Sequence, residues 1–416
     1  MAVDNELDIR EKKAREKLSQ YGQSHVMNEY ETLSLKEKEE LLTQIEKLDF
    51  SVTKQVNGPR ESSNRGKISP IKTLEMKDIK KDEDHYRETG LDAIRKGKVG
   101  AVLLAGGMGT RLGSDKPKCM YDIGITHTVY IMQRLMENTL DVVREAGVYI
   151  PFFIMTSEKN HDDTVAFLKE QNYFGYDPDK IHVFQQDMAP ATDYDGKVYM
   201  ESHSKIASSP NGNGGWFSSM AKAGLVDLIR KEGIEWLNCF AVDNVLQRIA
   251  DPVFIGATIE HGCASGAKVV RKAEPKEKIG TICLEDGKPS VVEYYEMTDE
   301  LLNAKDENGN SAYNFGVILN YLFREQDLEK VMNDKLMLHI VEKKIPYINE
   351  KNEFVKPQKA NGYKFETLIL DMVHEVGTCL PYEVDRVREF APIKNKTGID
   401  SVESAQKLCQ QNGIVL

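Results

Sequence analysis

Residues Leu103 to Lys118 read LLAGGMGTRLGSDKPK and carry four glycines, at 106, 107, 109 and 113, with Arg111 and Lys118 among them. Glycine permits a tight turn and lets backbone N–H groups approach an anion closely. A glycine loop that follows an apolar strand and carries fixed cations has the makings of a phosphate cradle. Two familiar cradles fail on spacing. A dinucleotide-type G-x-G-x-x-G beginning at Gly107 needs glycine at 112, where Leu112 stands. The G-K-S/T ending of a P-loop is absent, because Gly113 is followed by Ser114-Asp115-Lys116. The loop therefore predicts phosphate chemistry of another type, and NAD binding is not expected.

The elements that must hold this loop follow from periodicity. VGAVLLA (99–105) is a short apolar run, as expected of a strand buried on both faces. Residues 128–146 place Met132, Leu135, Met136, Leu140 and Val143 on one helical face, with Gly147 as the stop. YIPFFIM (149–155), IHVFQQ (181–186) and WLNCFAV (236–242) read as further strands, and 162–171 and 217–231 as helices. This alternation predicts crossovers and a Rossmann-like α/β fold with a mostly parallel mixed sheet. Residues 282–295 read as a hairpin turned at Asp286-Gly287, and 316–345 as mostly helix. Upstream, 5–20 and 82–97 are helical in character. Ser34 and Glu37 have capping-box spacing before Leu41, Leu42, Ile45 and Leu48. Residues 51–75, rich in Gly, Ser, Pro and Asn, read as a linker or exposed loop. The expected organisation is a helical N-terminal region with linker (1–97), an α/β catalytic domain that carries the glycine loop (98–395) and a short C-terminal region (396–416).

Composition excludes several functions. The 416 residues carry a net charge of −11, so no broad surface for nucleic acid is expected. No run of about 18 apolar residues appears, so no membrane span is expected. Six scattered cysteines (119, 239, 263, 283, 379 and 409) lack any C-x-x-C pair and read as reduced thiols. The charged start, MAVDNELDIREKK, does not read as a signal peptide, and a cytoplasmic protein is expected.

Further strings occur in a telling order: PKCMYDIG (117–124), IMTSE (154–158), NGNGG (211–215), AVDN (241–244), GAKVV (266–270), VVEYYE (291–296), KANGYKFE (359–366) and FAPIKN (390–395). With the glycine loop they resemble the eukaryotic-type UDP-N-acetylglucosamine pyrophosphorylases of the UDP-sugar pyrophosphorylase family, over roughly residues 20–412. The resemblance implies formation of UDP-N-acetylglucosamine and pyrophosphate from UTP and N-acetylglucosamine 1-phosphate. The sugar phosphate attacks the α-phosphate in line, assisted by Mg²⁺. Such a reaction asks the protein to position two polyanions and neutralise charge, not to supply a nucleophile.

The resemblance also implies roles. Gly106, Gly107 and Gly109 would hold the nucleotide, with Arg111 and Lys118 catalytic at the triphosphate. Gln186 would read the uracil, since an amide offers both donor and acceptor, and Gly212 would let the base approach. Asn213, Gly280, Glu293, Tyr294 and Asn314 would contact the sugar, and Lys364 and Lys394 the phosphates. Asp243 ends an apolar strand, where a carboxylate can hold Mg²⁺ or cap a following helix; the metal role is favoured. Where relatives line the acetyl pocket with aromatics, Leu368 and Leu370 stand here, which leaves N-acetylgalactosamine or glucose open as alternatives. Relatives usually continue into a further β-rich region, and a monomer is expected. The alternative from another class is a catalytically silent UDP-sugar-binding protein, disfavoured because Arg111, Lys118 and Asp243 are all present.

Overall fold

The computed structural model describes residues 2–56, 65–333 and 336–416. The chain divides into two compact units, one from Met1–Asn64, Asp187–Gly215 and Leu336–Ile369, the other from Arg65–Gln186, Trp216–Lys335 and Leu370–Leu416.

The larger unit is built on a mixed ten-stranded sheet. In chain order its strands are β1 (Ile68–Ser69), β2 (Val99–Leu104), β3 (Phe152–Thr156), β4 (Ile181–Gln185), β5 (Trp236–Ala241), β6 (Ser265–Arg271), β7 (Thr281–Glu285), β8 (Lys288–Val292), β9 (Phe315–Arg324) and β10 (Cys379–Glu383). The main path runs β1-β7-β9-β5-β2-β3-β4, with β8 on β7, β6 on β9 and β10 on β6. Strands β5, β2, β3 and β4 are mutually parallel. Every residue of β2 and β3 is buried, as a strand covered on both faces requires. Helices Ile131–Ala146 and His161–Glu170 supply the crossovers. The first buries Met132, Leu135, Met136 and Val143 and ends at Gly147 in the left-handed region, with Leu140 partly buried.

The chain runs from β2 outward through β3 to β4, then returns to place β5 on the other side of β2. The carboxyl ends of β2 and β5 therefore form a topological switch point, where open α/β sheets bind their ligands. Register brings Leu104, Ala241 and Met155 level at that edge.

Two expectations are corrected here. Residues 316–345 are not mostly helix: β9 is a ten-residue strand, followed by helix Glu325–Asn333 and strand His339–Lys343. FGVILNYLFR is rich in β-branched and aromatic side chains, and pairing with β5 and β6 on both edges decides an apolar run that periodicity leaves ambiguous. The helix expected over 217–231 is two, Trp216–Lys222 and Leu225–Glu232, divided where Gly224 takes φ +74°. The hairpin at Asp286-Gly287 forms as expected, with φ values of +50° and +82° suited to a type I′ turn. In the expected 51–75 loop, residues 57–64 lie outside the described residues, and Ile68–Ser69 is an edge strand on β7.

The smaller unit has its own core of Leu18, Tyr30, Leu41, Leu42, Ile45, Phe50, Val198 and Ile206. Ser34 and Glu37 make the expected capping box at the start of helix Leu35–Lys47. Its strands form four two-stranded ladders, among them His339–Lys343 with Gly362–Glu366. Among the described residues no helix is long and apolar enough to cross a membrane.

Candidate functional site

The glycine loop leaves β2 at the switch point and folds back on itself. Gly109 N donates to Lys116 O at 2.9 Å, and Lys118 N to Gly107 O at 3.1 Å. This returns Lys118 to the mouth of the loop, while Gly113 takes φ +76° to close the turn between. Beneath the loop lies Asn160, fully buried, whose Nδ2 donates to the carbonyls of Ala105 (2.9 Å) and Gly107 (3.3 Å). Its Oδ1 accepts from Ser157 N at 2.7 Å, so one side chain ties the loop to the turn after β3.

Gln186 follows β4 and is held by its N–H on Thr156 O at 2.8 Å. Its side chain lies against Gly106, where a Cβ would stand 2.5 Å from Nε2. Glycine at 106 thus leaves the Gln186 amide its place, and a larger residue there pushes that flexible side chain away. Among the described residues nothing stands within 4 Å of a Cβ placed at Gly107.

Asp243 follows β5, level with the loop. Its Oδ2 lies 3.7 Å from Lys118 Nζ, both side chains being largely buried. Burial pulls the Lys118 ammonium below the ordinary lysine range. Asp243 opposes that shift, and Lys394 and Arg111 add to it as neighbouring cations. Lys394 arrives from the late FAPIKN segment because Ile393 N donates to Asp243 O at 2.9 Å. Buried Asn244 fixes the same segment: its Nδ2 donates to Glu389 O (2.7 Å) and its Oδ1 accepts from Ala391 N (2.9 Å). Lys394 Nζ donates to Asp400 Oδ2 at 3.1 Å. Arg111 is exposed on the loop. Three cations (Arg111, Lys118 and Lys394) and two carboxylates (Asp243 and Asp400) thus gather around one sheet edge, an arrangement that can bind and neutralise phosphate.

Among the described residues no group of three or more His, Cys, Asp or Glu side chains gathers that could hold a metal ion. That donor set suits Mg²⁺ nonetheless, since this ion is usually held by one or two carboxylates with substrate phosphates and water completing its shell. Asp243 is the carboxylate available at the cradle.

Gly280, Glu293, Tyr294 and Asn314 gather around the start of β9, the neighbour of β5 on the side away from the loop, at the same edge of the sheet as Asp243. Thr281 pairs with Val292, Gly280 O accepts from Val317 N at 2.9 Å, and Asn314 directly precedes β9. A Cβ on Gly280 would stand 3.7 Å from Glu293 Oε2. Tyr294 is exposed and packs edge-on against Tyr295. Lys272, which sequence reasoning passed over, joins this group: its N–H donates to Asn314 O at 2.8 Å and its Nζ to buried Thr281 Oγ1 at 3.2 Å. Burial lowers its pKa, and Glu277 opposes the shift.

Gly212, Asn213 and Lys364 belong to the smaller unit. Gly212 takes φ +91°, and a Cβ on it would strike Thr367 O at 2.2 Å. Asn213 Oδ1 accepts from Ile369 N at 3.0 Å. Both therefore pack on the end of strand Gly362–Glu366, which carries Lys364. Leu368 and Leu370 are partly exposed on either side of buried Ile369.

Of the residues missed, Asn244 stood inside the AVDN string. Asn160 reads in sequence as an ordinary residue before a helix, and only the fold carries its amide to the loop.

A sequence profile described as UTP–glucose-1-phosphate uridylyltransferase matches residues 50–414. The chain is 36% identical over 404 residues to the UDP-N-acetylglucosamine pyrophosphorylase of Saccharomyces cerevisiae, covering 91% of this chain and 84% of that protein. It is 33% identical over 421 residues to the UDP-N-acetylhexosamine pyrophosphorylase-like protein 1 of Mus musculus, covering 96% and 82%. The crystal structure of the uridine diphosphate N-acetylglucosamine pyrophosphorylase from Trypanosoma brucei, in complex with an inhibitor, superposes with a TM-score of 0.80 at 26% identity, covering 97% of this chain and 84% of that one. With its glycine loop at the switch point and these likenesses along most of its length, the chain belongs to the UTP–glucose-1-phosphate uridylyltransferase family of UDP-sugar pyrophosphorylases.

Proposed function

We propose that the protein is a uridylyltransferase that makes UDP-N-acetylglucosamine and pyrophosphate from UTP and N-acetylglucosamine 1-phosphate. The observation that carries this reading is the convergence of the glycine loop, Gln186 and the Lys118–Asp243–Lys394 group on one sheet edge, in a chain whose similar relatives bear that activity in their names. A phosphate oxygen of the sugar phosphate attacks the α-phosphorus of UTP. The bond from that phosphorus to the bridging oxygen breaks, and pyrophosphate leaves.

The N–H groups of Gly106, Gly107 and Gly109 hold the nucleotide, and the Gln186 amide pairs with the uracil edge. Arg111 and Lys118 stabilise the charge that builds at the α-phosphate, where fixed donors in a partly buried site act most strongly. Asp243 would hold Mg²⁺, which when bound supplies positive charge to the triphosphate. Glu293, Tyr294, Asn314, Gly280 and Asn213 orient the sugar, Gly212 lies against the base, and Lys364 and Lys394 bind phosphate. A cytoplasmic, monomeric enzyme is part of the same reading.

Pyrophosphate release from UTP, measured side by side with N-acetylglucosamine 1-phosphate, N-acetylgalactosamine 1-phosphate and glucose 1-phosphate, tests it. The first should be the best substrate, and chelation of divalent metal should abolish turnover. Preference for glucose 1-phosphate would overturn the assignment of the sugar. Binding of UDP-sugars without any turnover would favour the silent binding protein.

A further inference from the structure

We infer that Arg65 is a positioning residue for the sugar half of the site, a role that rests on the proposed binding of the sugar by Glu293. Its guanidinium grips Glu296 with two donors, Nε to Oε1 at 3.1 Å and Nη2 to Oε2 at 2.7 Å. The same fork donates to Glu285 Oε2 at 3.1 Å and to Val291 O at 3.1 Å. Arg65 thus touches the end of β7, the body of β8 and the turn beyond. The segment around it is tied to the same hairpin: Gly66 N donates to Glu285 Oε1 at 2.8 Å, and Ile68–Ser69 pair with β7.

The consequence lies in what Glu296 does next. Its Oε2 accepts from Glu293 N at 3.0 Å, while Glu296 N donates back to Glu293 O at 2.9 Å. The turn bearing Glu293 and Tyr294 is therefore closed through a carboxylate that Arg65 holds still. Glu285, at the end of β7, is largely buried and Glu296, in the turn after β8, is partly buried, and Arg65 lies between them. Remove the fork, and two like charges repel while Glu296 is released to solvent. The backbone at Glu293 then loses its anchor. Placement errors of about 1 Å at a binding group can cost up to about a hundredfold, and the smaller loss expected from a loosened turn should fall on the substrate that Glu293 touches.

Separate KM values for UTP and N-acetylglucosamine 1-phosphate, with melting temperatures, test this in the full-length chain. Arg65→Met keeps most of the stem and removes the fork. It should raise KM for the sugar phosphate about tenfold and leave KM for UTP within about twofold. Arg65→Lys should fall between, because a point charge cannot make the bidentate contact. Glu296→Gln leaves the β1 pairing intact and should show the same selective rise, which separates positioning from loss of the strand. An unchanged sugar-phosphate KM in folded Arg65→Met, or an equal rise in both KM values, overturns the role. A wild-type chain with no turnover of this pair overturns the proposed function itself, and Arg65's role with it.

Discussion

Alanine at Gly106 tests whether the loop and Gln186 act as one nucleotide reader. The added Cβ would stand 2.5 Å from Gln186 Nε2, 3.1 Å from its Cδ and 3.3 Å from Oε1. Ordinary contact begins near 3.4 Å, so the amide must retreat by about 0.9 Å. A shift of that size takes a good hydrogen bond of about 2.9 Å to about 3.8 Å, beyond useful range. Two neutral hydrogen bonds to the uracil edge are worth about 1–3 kcal/mol together. Gly106→Ala should therefore raise KM for UTP by about 5- to 150-fold, since each 1.4 kcal/mol is about tenfold. Stability should change little, because the clash falls on a flexible side chain. A double-mutant cycle in a steady-state pyrophosphate assay provides the assay: Gly106→Ala placed on Gln186→Ala should add almost nothing, as coupled neighbours do. Two results refute the reasoning. One is a UTP KM unchanged by Gly106→Ala. The other is a full, additive loss on the Gln186→Ala background, which would mean that the methyl group blocks substrate directly.

Lys118→Met should lower kcat by about 10²–10³, the size typical of losing one donor at developing charge. Because burial, Lys394 and Arg111 hold the Lys118 pKa down, the wild-type pH–rate profile should decline on the alkaline side below the range of an ordinary lysine, and the variant should lack that limb. Stability runs the other way for this group: its protonated form is disfavoured by folding, and that cost begins to fall as pH rises past the lowered folded pKa and is gone above the ordinary lysine value of the unfolded chain. Asn160→Ala strips two loop carbonyls of their donor and should cost about 1–3 kcal/mol of stability. Thermal melting and kcat measured together check it, and a loop still fully active in the variant would deny Asn160 its positioning role.

Much of the sheet was legible because buried parallel strands write themselves as short apolar runs between amphipathic helices, as VGAVLLA and WLNCFAV do. The glycine loop was legible for a related reason: its spacing excludes other cradles whatever surrounds it. The strand Phe315–Arg324 was not, because an apolar segment of that length satisfies helix and strand alike until its partners on both edges are known.

The site divides in the same way. Residue types and strings along the chain nominated the side chains proposed to handle phosphate, uracil and sugar: Arg111, Lys118, Gln186, Asp243 and Glu293. Only the tertiary structure decided what glycine at 106 makes room for, a side chain 80 residues away pressed against it. It likewise decided that Asn160 holds the loop, that Asn244 carries Lys394 to Asp243, and that Arg65, in a stretch reading as linker, braces Glu293. Local spacing records what a residue can do chemically. Hydrogen bonds that span tens to hundreds of positions leave no periodic trace, so the parts that hold the chemistry in place appear only once the chain is folded.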